Sequence, residues 1–111
     1  MNGLGPEYRD MMRDLHHAYQ AELPGKGRDL EAAADALMAG WSAERREALF
    51  FLAHRLAGSS AIYGFEEVSA AAKALEAFLV SAREGAEPAP GEREAQLSAL
   101  VRRVAEASRG R

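Results

Sequence analysis

The sequence predicts an all-α fold, an antiparallel up-and-down four-helix bundle with an additional N-terminal helix. No segment shows the period-two alternation of apolar and polar residues that is typical of a β-strand. Glycines and prolines divide the chain into five segments with apolar residues at helical spacing. Because the connections are short, successive long helices should lie antiparallel. The chain has 111 residues, 48% of them apolar, so we expect one core and a single domain over residues 1–111.

The first two segments form the N-terminal region, part of which should complete the bundle. The first is predicted as a helix over residues 7–22, because Pro6 suits the first turn of a helix. Pro24 and the glycine after it should end this helix, since an internal proline removes a backbone hydrogen bond and clashes with the preceding turn. A second helix is predicted over residues 28–38, with Gly40 ending it.

The third and fourth segments are predicted to form a helical hairpin over about residues 43–83. Ser42 is a suitable N-cap for the third helix, predicted over residues 43–63. Gly64 should end that helix. The fourth helix is predicted over residues 66–83, because it starts with two carboxylates, which favour the positive end of a helix.

The fifth segment is predicted as a helix over residues 92–108. The proline-rich stretch before it, residues 88–91, should be a stiff connector. One apolar stripe along this helix is expected to face the core: Leu97, Leu100, Val101 and Val104.

Composition excludes several classes of function. A formal net charge of −3 gives no electrostatic footprint for nucleic acid. The absence of cysteine excludes disulfides, thiol nucleophiles and thiolate metal sites. The longest apolar run, residues 48–53, is far below the ~20 residues that span a bilayer, and residues 1–7 do not resemble a signal peptide. We therefore expect a soluble cytoplasmic monomer that binds neither nucleic acid nor membrane.

The most informative stretch is residues 53–64, where His54 is followed one helical turn later by Gly58. At about 100° per residue, the predicted core stripe of this helix is Leu49, Leu52, Leu56 and Tyr63. His54 is predicted to lie roughly opposite that stripe. The residues expected on its side are uncharged and form a predicted docking face: Phe50, Phe51, Ala57, Gly58 and Ala61. This arrangement suits a histidine that another protein must reach.

This stretch resembles the active helix of histidine-containing phosphotransfer (Hpt) domains. The matching residues are His54, Leu56, Ala57, Gly58, Ser59, Ser60 and Gly64. In the next helix, the family's apolar positions and its closing glutamate are matched by Val68, Ala72, Leu75 and Glu76. The matched motif spans residues 53–76.

The resemblance implies roles for individual residues. It identifies His54 as a phosphoacceptor through Nε2, and Glu76 as the residue that hydrogen-bonds Nδ1 and orients the imidazole. The family's lysine three residues after the histidine is Ala57 here, and Lys73 on the next helix is the candidate to supply the missing charge. Gly58 would leave room for an incoming aspartyl phosphate.

The resemblance also implies partners. A neutral imidazole can accept a phosphoryl group near pH 7, but the chain lacks a nucleotide-binding loop and an acidic cluster suited to Mg²⁺. We therefore expect no cofactor and no enzymatic activity of its own. A receiver domain would carry the phosphorylatable aspartate and the Mg²⁺, and a sensor histidine kinase is a further expected partner. The implied function is that of a phosphorelay carrier.

Three alternatives remain at this stage. A pseudo-Hpt adaptor would keep the docking face without transferring phosphate, which the alanine at position 57 suggests. The phosphoacceptor domain of a chemotaxis-type kinase is compatible with Gly64 followed by Phe65. An unrelated helical scaffold is the third alternative. Outside the motif, His16 and His17 are interpreted as packing or solvated residues, because adjacent helical positions point about 100° apart and do not chelate one metal as an i, i+4 pair does.

Overall fold

Four α-helices make up the bundle in the computed structural model, which describes residues 5–85, 89 and 91–110. In chain order they are α1 (Pro6–Ala39), α2 (Ala43–Ile62), α3 (Glu66–Arg83) and α4 (Glu92–Ser108). Each packs against the next, and α1 also packs against α4, so the four helices close around one core. Within the described ranges there is no strand. The predicted all-α four-helix bundle is confirmed.

The additional N-terminal helix is a wrong prediction, because α1 is one continuous helix of 34 residues with Pro24 inside it. An internal proline costs about 3 kcal/mol. Burial offsets this cost, since Leu23 and Leu30, on either side of the proline, are 2% and 1% exposed and full burial of a leucine contributes about 1.5–3 kcal/mol. Gly27 also lies so close to α4 that a Cβ there would be 3.2 Å from Ser108 Cβ. Packing across the proline therefore keeps the two predicted segments in one helix.

The first half of α1 packs against the end of α2 and the turn that follows it. His16 Nδ1 donates a hydrogen bond of 2.7 Å to the carbonyl oxygen of Tyr63, and the imidazole stacks on Phe65 with ring centroids 4.2 Å apart. The Tyr19 hydroxyl is 3.2 Å from Oγ of the buried Ser60. Of the two interpretations given to His16, packing or solvation, the structure supports packing.

Local chemistry sets the ends of the other helices. Ser42 Oγ accepts a hydrogen bond of 3.1 Å from the backbone N–H of Arg45, as expected of an N-cap. After α2 the chain turns at Gly64, whose φ of +88° favours glycine. The observed bounds of α3 and α4 are the predicted ones, and α2 ends one residue before its predicted end. Residues 88 and 90 of the predicted connector lie outside the described residues.

The core face of α2 differs from the predicted stripe. Leu49 and Leu56 are buried as expected, whereas Leu52 is only partly buried and Ala53 is fully buried. The reason is that α3 approaches α2 closely along small side chains. Ser69 Oγ on α3 donates a hydrogen bond of 2.8 Å to the backbone carbonyl of Ala57. His54 consequently lies beside α3 at the edge of the core face, and the prediction that it lies opposite the core is wrong.

No helix in the described part of the chain combines the length and apolar character needed to cross a membrane.

Candidate functional site

His54 lies in the middle of α2 and is hydrogen-bonded to α3. Its Nδ1 is 3.0 Å from Oε2 of Glu76. The side chain of His54 is 61% exposed and that of Glu76 is 25% exposed. Because an ionised carboxylate only accepts hydrogen bonds, Nδ1 carries the proton in this contact. In the neutral ring the lone pair is then on Nε2.

Phe50 contacts the imidazole from the preceding turn of α2. The two rings are nearly parallel, with an interplanar angle of 12° and centroids 5.7 Å apart. The rings of Phe51 and Phe50 meet in an edge-to-face arrangement, with centroids 5.7 Å apart. Phe51 is 58% exposed, whereas Phe50 is half-buried against the core. The two phenylalanines of the predicted docking face therefore have different surroundings.

An ion pair beside Phe50 was missed by the sequence reasoning. Arg83 donates hydrogen bonds of 2.8 and 3.0 Å to the two carboxylate oxygens of Glu47. The Arg83 guanidinium carbon also lies 4.5 Å from the centre of the Phe50 ring. The hydrogen bond from Arg83 lowers the pKa of Glu47, and the same bond raises the pKa of Arg83.

The register of the hairpin contains a signal for this pair. Glu47 lies seven residues before His54, and Arg83 lies seven residues after Glu76. Seven residues are about two helical turns. The antiparallel register of α2 and α3 that places His54 beside Glu76 therefore also places Glu47 beside Arg83.

Lys73 belongs to the same site as His54. Both line an open concavity of about 410 Å³, whose lining residues are His54, Ala57, Gly58, Lys73, Glu76 and Ala77. Lys73 is exposed and lies on α3 one turn before Glu76. The structure thus brings together the candidate phosphoacceptor, the candidate orienting carboxylate and one cationic side chain.

Gly58 is exposed in the middle of α2, and nothing in the fold requires a glycine there. A Cβ added at this position would meet no atom within 4 Å beyond the helix's own neighbouring backbone. Glycine inside a helix costs about 1 kcal/mol relative to alanine. Local stability therefore does not explain this glycine, and the open space in front of it is available to a partner.

Ala57 and Ile62 correct the predicted docking face. Ala57, which we expected to be exposed, is 3% exposed because α3 covers it. Ile62, which the sequence reasoning missed, is 69% exposed. Its spacing of eleven residues from Phe51 places both on one side of α2 and was the available signal. Four exposed residues on this side that carry no charge are called the apolar strip: Phe51, Gly58, Ala61 and Ile62. The exposed Arg55 lies among them.

Among the described residues, no group of three or more His, Cys, Asp or Glu side chains is arranged to hold a metal ion.

Comparison with known proteins identified a family. A protein-family model described as the Hpt domain matches residues 7–107. No curated protein and no solved structure matched the chain significantly. The family match covers all four helices except the first residue of α1 and the last residue of α4.

Proposed function

The chain belongs to the Hpt domain family, whose members transfer phosphoryl groups through a histidine in two-component signalling, and on that premise we propose that this protein is a phosphorelay carrier. His54 accepts a phosphoryl group from the aspartyl phosphate of a receiver domain, or from a sensor histidine kinase, and passes it to another receiver. The observation that carries the proposal is an exposed imidazole whose Nδ1 is bonded to Glu76 at 3.0 Å.

The proposed step forms a P–N bond at Nε2 of His54. The lone pair of Nε2 attacks phosphorus, the bond from phosphorus to the aspartyl oxygen breaks, and the receiver's carboxylate leaves with the electron pair. The imidazole gains positive charge as the new bond forms, and the carboxylate of Glu76 stabilises that charge through Nδ1–H. Transfer to the next receiver reverses these changes.

Lys73 is the proposed charge partner of the phosphoryl group. The motif position usually occupied by lysine is Ala57, which is buried and carries no charge. Lys73 lines the same concavity as His54 from the neighbouring helix. An ammonium there would neutralise phosphoryl oxygens, and phosphoryl transfer depends mainly on positioning and charge neutralisation.

The apolar strip is the proposed docking surface for the receiver. Phe51 and Ile62 are large exposed apolar side chains on either side of Gly58, with the exposed Arg55 between them. Clustered exposed apolar side chains next to charged residues are typical of interaction sites. Gly58 would allow the partner's backbone to approach closely. The receiver would bring the aspartate and the Mg²⁺, and we place this reaction of a monomeric carrier in the cytoplasm.

A transfer assay tests the proposal. Purified receiver domains carrying labelled aspartyl phosphate are mixed with the wild-type chain, with His54→Gln, and with the matched control His17→Gln, which alters an exposed histidine of α1. We expect acid-labile, base-stable label on the wild type and the control but not on His54→Gln. Label of equal amount on His54→Gln would contradict the assignment.

One observation favours a second function, a docking adaptor without transfer. The charge normally placed at the motif position is absent, because Ala57 occupies it. An adaptor would bind receivers through the apolar strip and acquire no label. Binding measured by calorimetry together with the transfer assay therefore separates the adaptor from the carrier.

A further inference from the structure

The hydrogen bond to Glu76 fixes only part of the orientation of His54. With one hydrogen bond, at Nδ1, the imidazole can still pivot about the line that joins Nδ1 to Oε2. Such a pivot moves Nε2, the proposed reacting atom. In-line transfer needs the reacting atoms aligned, and misplacement by about 1 Å can cost about 100-fold in rate. A second contact on the ring would restrict the pivot.

Phe50 makes that second contact. Its ring lies one helical turn before His54, which is the spacing at which helical side chains meet. The interplanar angle of 12° and the centroid distance of 5.7 Å correspond to an offset stack. Tilting the imidazole about the Nδ1···Oε2 line would break this parallel contact. The stack and the hydrogen bond thus restrain different motions of the same ring.

Phe50 is in turn held by residues of both helices. The Arg83 guanidinium, 4.5 Å from the ring centre, covers it from α3. Arg83 is fixed by its two hydrogen bonds to Glu47, one turn before Phe50 on α2. Phe51 contacts the Phe50 ring in an edge-to-face arrangement. Contacts from both helices therefore restrain the phenyl ring.

We propose that Phe50, held by the Arg83–Glu47 ion pair, is a positioning residue that fixes the imidazole plane of His54. This inference rests on the proposed function for its catalytic meaning, because a fixed plane matters if Nε2 accepts a phosphoryl group. The geometric part does not depend on that function. It assigns Phe50 to the orientation of His54, whereas the sequence placed Phe50 on the docking face.

The other histidines provide an internal comparison. His16 has the same two restraints, a hydrogen bond from Nδ1 to a carbonyl oxygen and a stack on Phe65 with an interplanar angle of 11°. His17 is exposed. The proposal expects the imidazole of His54 to be ordered like that of His16 and more strongly than that of His17.

Nuclear relaxation of the imidazole Cε1–H groups in the full chain tests the geometry without any partner. Phe50→Leu keeps an apolar side chain and removes the stack. We expect it to lower the order parameter of His54 toward the value of His17 and to leave His16 unchanged. The matched control, Phe65→Leu, should lower the order parameter of His16 and leave His54 unchanged. An unchanged His54 order parameter in Phe50→Leu would overturn the proposal.

A chemical donor then tests the catalytic meaning. Phosphoramidate transfers its phosphoryl group and releases ammonia, so no receiver has to dock. We expect Phe50→Leu to reduce the rate of His54 phosphorylation about 2- to 10-fold, the effect of losing one aromatic pair, and Phe65→Leu to leave that rate unchanged. An equal rate in wild type and Phe50→Leu, despite a lowered order parameter, would overturn the catalytic part of the proposal.

Two further outcomes keep the conclusions separate. If wild-type His54 accepts no phosphoryl group from any donor but Phe50→Leu lowers its order parameter, the proposed function fails and the geometric inference stands. If circular dichroism shows that Phe50→Leu does not fold, the order parameter is measured in Arg83→Met instead. This variant removes a contact to Phe50 without changing a buried residue. A His54 order parameter unchanged in Arg83→Met would overturn the role given to the ion pair.

Discussion

Replacing Gly58 by alanine should stabilise the protein, although the glycine belongs to the matched motif. Gly58 is exposed inside α2, and a new Cβ would meet no atom within 4 Å outside the neighbouring helix backbone. The change therefore adds helix propensity and removes freedom from the unfolded chain without adding a clash. We expect the free energy of unfolding to rise by about 0.5–1 kcal/mol.

Urea denaturation followed by circular dichroism at the helix band measures this change. The matched control is Gly27→Ala, also inside a helix, where the new Cβ would lie 3.2 Å from Ser108 Cβ and 3.8 Å from Ala105 Cα. Both neighbours are buried, so we expect this control to lose stability. A loss of stability in Gly58→Ala would refute the reasoning, because it would mean that Gly58 is not on an open helix surface.

The same position then tests docking. Gly58→Glu should fold, because the side chain projects into open space. It should nevertheless block transfer from a phosphorylated receiver, since a long charged side chain would occupy the place of the approaching partner. Its phosphorylation by phosphoramidate should remain close to that of the wild type. Transfer from the receiver at the wild-type rate would contradict the proposed docking geometry.

Three further predictions concern charge and the helix α1. Lys73→Ala should slow transfer from a receiver by about 10-fold, the equivalent of about 1.4 kcal/mol for one charge-assisted contact. Lys73→Arg should restore part of the rate. An unchanged rate and phosphohistidine lifetime in Lys73→Ala would exclude Lys73 as the charge partner of the phosphoryl group. The pKa of Glu47 in the folded protein is below its ordinary value of 4.5, so Glu47 binds a proton more readily in the unfolded chain than in the folded one. The Arg83–Glu47 pair should therefore stabilise the protein above pH 4.5 and lose that effect as the pH falls through the lowered pKa. Urea denaturation of wild type and Glu47→Gln at several pH values checks this, and an equal acid-induced loss of stability in both would contradict it. Pro24→Ala should raise the free energy of unfolding by about 1–3 kcal/mol, because α1 is continuous through the proline. A loss of stability in this variant would contradict that continuity.

The parts of the fold that depend on local chemistry could be predicted from the sequence. The N-cap at Ser42 and the turn at Gly64 follow from residues next to each other in the chain. The continuity of α1 could not be predicted, because it depends on burial of Leu23 and Leu30 by other helices, and tertiary packing outweighs the local cost of Pro24.

The candidate site was predictable where the motif specifies it. The resemblance pairs His54 with Glu76, and the structure places these two side chains in contact. The burial of Ala57 was not predictable from helical periodicity, because it depends on how closely α3 approaches α2. The equal spacing of Glu47 from His54 and of Arg83 from Glu76 indicates that the Arg83–Glu47 pair can form. This spacing predicts the pair only once the facing sides of α2 and α3 are known.

The central claim is that the phosphoryl group is carried on Nε2 of His54. The most direct test is to phosphorylate the full chain with a receiver domain and to locate the phosphorus by ³¹P-detected and ¹H–¹⁵N correlated nuclear magnetic resonance. The account predicts one phosphohistidine signal, assigned to Nε2 of His54, with Nδ1 still protonated. Phosphorus on Nδ1, on His16 or on His17, or no phosphohistidine signal at all despite binding of the receiver, would contradict it.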